Sequence, residues 1–236
     1  MKKTAIQTTL AGIFAACIAT PVLGQNIEAG IDLNYLGLAQ SEGQAVGFGF
    51  TAAPEIWVRA TTPSGLTFGL DAFRLQGTST DPATDYVAIM MQSIDLTVGK
   101  NIDLGSNTQA MLYGGLRYAT YREDRAFNFL EVPQAWGMLA GVEVEHAMGS
   151  NFSLYGGSEA GIVFAPNYTD DGSAEQNLIF NTIDLDLGMK YSASMGNGGS
   201  WFVKGGLTAK LWNGVSDNDS ENISAYGLKL SVGMNF

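Results

Sequence analysis

Tyr226-Gly227-Leu228-Lys229-Leu230-Ser231-Val232-Gly233-Met234-Asn235-Phe236 closes the chain. Counted back in twos from the end, Phe236, Met234, Val232, Leu230, Leu228 and Tyr226 are all apolar. The positions between them, Asn235, Gly233, Ser231, Lys229 and Gly227, are small or polar. Successive side chains of a strand point to opposite faces, so this period of two describes a strand with one apolar and one polar face.

Upstream the pattern recurs. Ile27, Ala29, Ile31, Leu33 and Tyr35 alternate with Glu28, Gly30, Asp32 and Asn34. Ile56, Val58 and Ala60 oppose Trp57 and Arg59; Pro54, which cannot donate to a ladder, marks a bulge or break just before them. Leu66 to Ala72 alternates around Asp71, Ile94 to Val98 around Asp95, and Leu112 to Tyr118 around Arg117. Trp136 to Val144 brackets Glu143 and Glu145, and Phe152 to Phe164 brackets Glu159. Ile179 to Tyr191 carries Asp184, Asp186 and Lys190 on its polar face, and Trp201 to Leu211 carries Lys204 and Lys210. Ten strands result, with eight or twelve as the neighbouring even counts, and each is long enough to cross a bilayer at a tilt.

The connections differ by parity. Those at 39–45, 77–85, 122–134, 165–175 and 213–222 are longer and more acidic, whereas those at 63–65, 102–107, 147–151 and 192–199 are short. An even strand count with short turns at one end and long loops at the other is the pattern of a closed transmembrane β-barrel, with both termini on the periplasmic side. A soluble β-sandwich also alternates, but its inner faces are apolar. Here the inner faces would hold Asp32, Asp71, Asp95, Arg117, Glu143, Glu145, Glu159, Asp184, Asp186, Lys190, Lys204, Lys210 and Lys229. Charges in a barrel lumen can pair with one another and with trapped water while aliphatics face lipid. Tyr35, Tyr118, Trp136, Phe164 and Tyr226 at one level, and Phe152, Tyr191, Trp201 and Phe236 at the other, suit aromatic girdles at two interfaces. The expected fold is therefore all-β, a closed antiparallel barrel of about ten strands.

The start of the chain fits export. Met1-Lys2-Lys3, an apolar run from Leu10 to Ala19 and Val22-Leu23-Gly24 have the three parts of a secretory signal peptide, so residues 1–24 are expected to be removed and 25–236 to form the barrel. The single cysteine, Cys17, lies inside that segment, which leaves the barrel without thiol chemistry or disulfides. Losing Lys2 and Lys3 takes the formal charge from −11 to −13. Such acidity argues against nucleic-acid binding, which wants a basic face, and suits divalent-bridged lipopolysaccharide.

Little in the sequence suggests catalysis, and the chain is expected not to be an enzyme. The one histidine, His146, falls next to a periplasmic turn, and no Ser–His pair can be placed near the outer leaflet. No cofactor motif or metal site is expected. Thr169-Asp170-Asp171-Gly172 and Asp217-Asn218-Asp219-Ser220-Glu221 hold oxygen ligands that suit calcium but lack EF-hand spacing. They read as solvated loops, with weak divalent-cation binding as the alternative.

Two resemblances add to this. An aromatic at the end of the last strand is similar to the terminal strand of bacterial outer-membrane barrels. That implies that Tyr226, Leu228, Leu230, Val232, Met234 and Phe236 form the signal read by the barrel-assembly machinery. Gly114-Gly115-Leu116-Arg117-Tyr118-Ala119, following Ser93-Ile94-Asp95-Leu96-Thr97-Val98-Gly99, resembles the Legionella-type major outer-membrane protein family. The resemblance implies an abundant porin or surface protein of the cell outer membrane, in contact with lipid and lipopolysaccharide. The expected function is porin-like passage of small solutes through a narrow, charged lumen. The alternative is a structural or surface-interaction protein with a plugged lumen, since barrels near eight strands are filled by side chains. Arg117 has Asp95, Glu143, Glu145 and Glu159 as candidate partners.

Overall fold

A computed structural model describes residues 26–40, 48–79, 87–125, 129–170, 176–196, 198–215 and 222–236. The expected signal peptide, and the loop residues 171–172 and 217–221 considered for cations, lie outside these described residues. The ten strands are β1 (Asn26–Gln40), β2 (Thr51–Thr61), β3 (Leu66–Thr78), β4 (Val87–Asp103), β5 (Thr108–Arg125), β6 (Phe129–Ala147), β7 (Phe152–Asp170), β8 (Gln176–Ser194), β9 (Ser200–Asn213) and β10 (Asn222–Asn235). Each pairs antiparallel with its sequence neighbours, and β1 pairs with β10 to close the barrel. The closing strand thus hydrogen-bonds on both sides, from Glu28↔Asn235 to Gln40↔Ile223 and from Asn235↔Ser200 to Asn222↔Asn213. Closure leaves no free edge, which is what a sheet in hydrocarbon requires.

Both described ends of the chain meet at one end of the barrel, where the backbone groups of Ile27 and Phe236 exchange hydrogen bonds. The turns at this terminus end are tight: 62–65, 104–107, 148–151 and 195–199. In the first, the Gly65 N–H donates to the Thr62 carbonyl at 2.9 Å and Gly65 takes a φ of 78°. That left-handed conformation costs glycine nothing and a branched residue a great deal.

At the other end the strands run further than expected. Residues 122–134 and 165–175 were expected as loops, yet β5 continues to Arg125, β6 begins at Phe129, β7 reaches Asp170 and β8 starts at Gln176. Strands β6, β7 and β8 have 19 residues each, whereas about 10 suffice to cross a bilayer. Three prolines punctuate the extension. The β2–β3 ladder stops at Glu55↔Phe73, next to Pro54, and resumes one residue out of register at Phe48↔Ser79. One residue is extra in β6 at Pro133–Gln134 and one in β7 at Pro166–Asn167, as the β5–β6 and β7–β8 registers show. These two bulges face each other, so β6 and β7 keep one register on both sides of them, Trp136↔Phe164 and Glu131↔Thr169.

Candidate functional site

The barrel interior has two storeys. From the terminus end to mid-barrel, every strand points its polar alternate inward and its aliphatic alternate outward. Ile31, Leu33, Leu96, Leu116, Ile162, Leu187 and Leu207 are all more than half exposed on the outer wall. The six alternating residues expected as an assembly signal, five in β10 and Phe236 just after it, belong to this wall and are 47% to 63% exposed. Aromatic rings meet across neighbouring strands near its two rims. Tyr118 and Trp136 lie 4.8 Å apart at the loop side, Phe152 and Tyr191 5.0 Å apart at the terminus side.

Of the thirteen charged side chains expected in the lumen, twelve line one interior cavity and Arg117 is buried beside it, and eleven of the thirteen take part in ion pairs. Arg117, 2% exposed, donates Nε to Asp95 at 2.8 Å and Nη2 to the other Asp95 oxygen at 2.7 Å. It also binds Glu159, Asp184 at 3.1 Å and the Thr182 hydroxyl at 2.7 Å. A second group is centred on Lys229, which lies 2.8 Å from Asp32 and 3.2 Å from Asp186. Lys210 links the two, 3.6 Å from Asp184 and 3.7 Å from Glu55. Nearer the terminus end, Glu143 takes Arg59 at 2.6 Å and Glu145 takes Lys190 at 3.0 Å. Glu143 and Glu145 are therefore not Arg117's partners, contrary to expectation; they sit too far down β6, and Asp184 of β8 takes their place. Lys204 and Asp71 make no ion pair among the described residues.

The lumen expected from sequence omits Glu28 of β1 and three inner-wall groups of β2, of which Trp57 and Arg59 already stand on the polar face of the alternation. Glu55 receives a hydrogen bond from Asn34 at 3.1 Å, Trp57 donates its indole N–H to Asp32 at 2.9 Å, and Arg59 pairs with Glu143. The signal was present in the alternation Ala53, Glu55, Trp57, Arg59, but Pro54 hides its start.

Above Arg117 the interior changes character, and here the expected all-polar lumen is corrected. On one strand after another the next inward residue is apolar: Asp71 gives way to Phe73, Lys210 to Trp212, Glu55 to Ala53. Leu36, Leu75, Ile89, Met91, Tyr121, Leu130, Val132, Val163, Tyr168, Phe180 and Ile223 complete a core whose members are at most 8% exposed. Phe180 stacks on Trp212 at 5.5 Å, and Lys210 Nζ lies 4.5 Å over Phe73, joining the two storeys. The outer wall inverts in step, with Arg74, Gln76, Thr78, Gln134, Asn177 and Asn181 exposed. Where the strands leave hydrocarbon for water, apolar side chains lower their free energy by moving inside, as in a soluble barrel.

Below Arg117 a cavity of about 360 Å³ remains, with Asn26, Asn101, Gln109 and Asn235 at its mouth on the terminus end. His146 stands outside it, exposed, its Nδ1 2.8 Å from the Thr108 hydroxyl.

Residues 27–232 match the family described as Legionella pneumophila major outer membrane protein precursor. The chain belongs to that family. It is an outer-membrane β-barrel protein. No curated protein matches it. Among solved structures, it is similar to the outer membrane protease OmpT from Escherichia coli, at 11% identity over 92% of this chain and 99% of that one, with a TM-score of 0.48. Neisserial surface protein A is 14% identical over 90% of this chain and 96% of its own, with a TM-score of 0.40. The toluene transporter TodX from Pseudomonas putida is 10% identical over 94% and 93%, with a TM-score of 0.38.

Proposed function

We propose that this family member is a closed, non-conducting and non-enzymatic barrel. Its role is that of a surface-interaction protein, in which strands prolonged beyond the bilayer carry the outer loops away from the membrane. The observation that supports this reading is the apolar core across the outer storey, where Phe73, Phe180, Trp212 and their neighbours are at most 8% exposed. An ion entering that core would be stripped of water among apolar side chains, where the buried carboxylate of Glu123 is already engaged by the Tyr121 hydroxyl, at a cost of several kcal/mol or more. Porin-like passage, the use that a charged lumen first suggests, needs a polar path that continues past Arg117.

Export by cleavage before Gln25, and insertion guided by the alternating β10 and its terminal Phe236, belong to the same reading. Outer-membrane lipid and lipopolysaccharide then surround the aliphatic wall.

Planar-bilayer recording of the refolded barrel tests the proposal. The expected trace is flat at several voltages and salt concentrations. Reproducible single-channel steps whose size grows with salt would overturn it in favour of the porin reading.

A further inference from the structure

The lower cavity has a charge imbalance that its own pairs do not settle. Ten carboxylates and five cations line it, with Arg117 as a sixth cation at its closed end. Arg59 is taken by Glu143, Lys190 by Glu145, and Lys229 by Asp32 and Asp186. Lys210 lies between Glu55 and Asp184. Asp71 stands directly across the ladder from Asp95, and both Asp95 oxygens are held by Arg117.

The remaining cation does not help. Lys204 Nζ is surrounded by rings, 5.1 Å from the Phe202 centroid, 5.2 Å from Trp57 and 5.6 Å from Tyr155. The cavity wall thus already receives one ammonium group on aromatic faces, a favourable contact when water is excluded.

A second, independent feature is Ser231. It lines the cavity, is 1% exposed, and its hydroxyl oxygen has no hydrogen-bond partner among the described residues. The Asp186 Oδ1 atom is in the same condition. Buried polar atoms are seldom left so. No group of three carboxylate, histidine or cysteine ligands that could hold a metal ion occurs among the described residues. The missing positive charge is therefore suited to an extended carrier rather than a point ion. A volume of about 360 Å³ is in the range of small-molecule sites.

We propose that this cavity binds an aliphatic polyamine entering from the periplasmic side. Its ammonium groups offset the surplus carboxylates and donate to the unpartnered Asp186 Oδ1 and to Ser231, while its methylenes lie against the Trp57 and Tyr155 walls. The inference depends on the closed-barrel reading for its sidedness alone.

Titration calorimetry of the full refolded barrel with spermidine tests it, with magnesium at matched ionic strength as the comparison. Saturable binding of spermidine is expected, weakened about tenfold by Ser231→Ala and by Asp186→Asn, the loss of one hydrogen bond to a charged group. Heat-modifiable gel mobility confirms that both variants are folded. Absence of saturable binding, full displacement of spermidine by magnesium, or wild-type affinity in both variants would overturn the proposal. Since conductance is not the readout, a negative result leaves the closed barrel standing. A barrel that binds spermidine yet conducts would overturn the closed-barrel reading alone.

Discussion

Removing the guanidinium of Arg117 would strand Asp95, Glu159 and Asp184 inside the barrel. Its three nitrogens make five hydrogen bonds to these carboxylates and Thr182 from a position 2% exposed. Breaking a buried pair from one side costs about 3–5 kcal/mol, because the partner charge stays behind. Arg117→Met should lose stability of that order in urea unfolding from lipid vesicles. Adding Asp95→Asn should then cost less than it does alone, the mark of coupled sites. A side chain can also be constrained by what its neighbour lacks. A Cβ on Gly30 would lie 2.6 Å from Cζ2 of Trp57, whose ring is held by its bond to Asp32. Gly30→Val should displace that ring and destabilise the barrel by about 1–3 kcal/mol, the usual cost of overpacking, with a shift in tryptophan emission as the second readout.

Strands β6 and β7 show how an element can mislead. In β6, Leu130, Val132, Trp136 and Met138 share even numbers and read as one apolar face. The extra residue at Pro133–Gln134 puts the first two inside the core and the last two on the lipid wall: Leu130 and Val132 are at most 2% exposed, Trp136 59% and Met138 74%. Proline cannot donate to the ladder, so the bulge sits where a donor is already missing. Deleting Gln134 keeps Leu130 and Val132 facing inward but leaves the β7 bulge without its counterpart, so β6 and β7 lose their common register across the outer storey. The expected result is a protease-sensitive outer storey on a membrane storey that still resists digestion, read by limited proteolysis of the refolded barrel. At the other end of the chain, deletion of Phe236 removes an exposed aromatic and little interior packing. It should sharply reduce the heat-modifiable band in cells while leaving detergent refolding near wild type. An equal loss in both assays would mean that Phe236 acts through stability rather than recognition.

At the scale of the whole molecule, one barrel obeys two solvents. In hydrocarbon the outside must be apolar, and the polar alternates are left to pair inside; beyond it, water reverses the preference. The consequence is a lumen open at one end and packed at the other. Thr97 lines the lower cavity, and none of the described residues is a cysteine. A membrane-impermeant maleimide should therefore modify Thr97→Cys in vesicles when added on the periplasmic side and not when added on the outer side. Equal labelling from both sides would show that the apolar core does not seal the barrel.

Strand number, antiparallel order, the aliphatic outer wall and the thirteen lumen charges were legible in the sequence, because a period of two is local and survives wherever one face meets lipid. The inversion of the outer storey was written there too, in Leu70-Asp71-Ala72-Phe73-Arg74-Leu75, where the apolar parity changes within one strand. It went unread because reversed alternation resembles a loop when the barrel is assumed to end at the membrane, and because the bulges in β6 and β7 cancel the change. Only the tertiary structure decided which carboxylate meets which cation. Arg117 pairs with Asp184, 67 residues away, and Arg59 with Glu143, 84 residues away; closure brings such strands face to face across the lumen, and no local spacing encodes that. It likewise decided that the charged interior ends in an apolar core, since a cavity is a property of ten inner faces together. The last strand displays both halves of the lesson. Its alternation assigned Tyr226 to Phe236 to the wall and Lys229 to the lumen, whereas its register against β1 and β9 brought Lys229 to Asp32 and left the Ser231 hydroxyl facing the cavity.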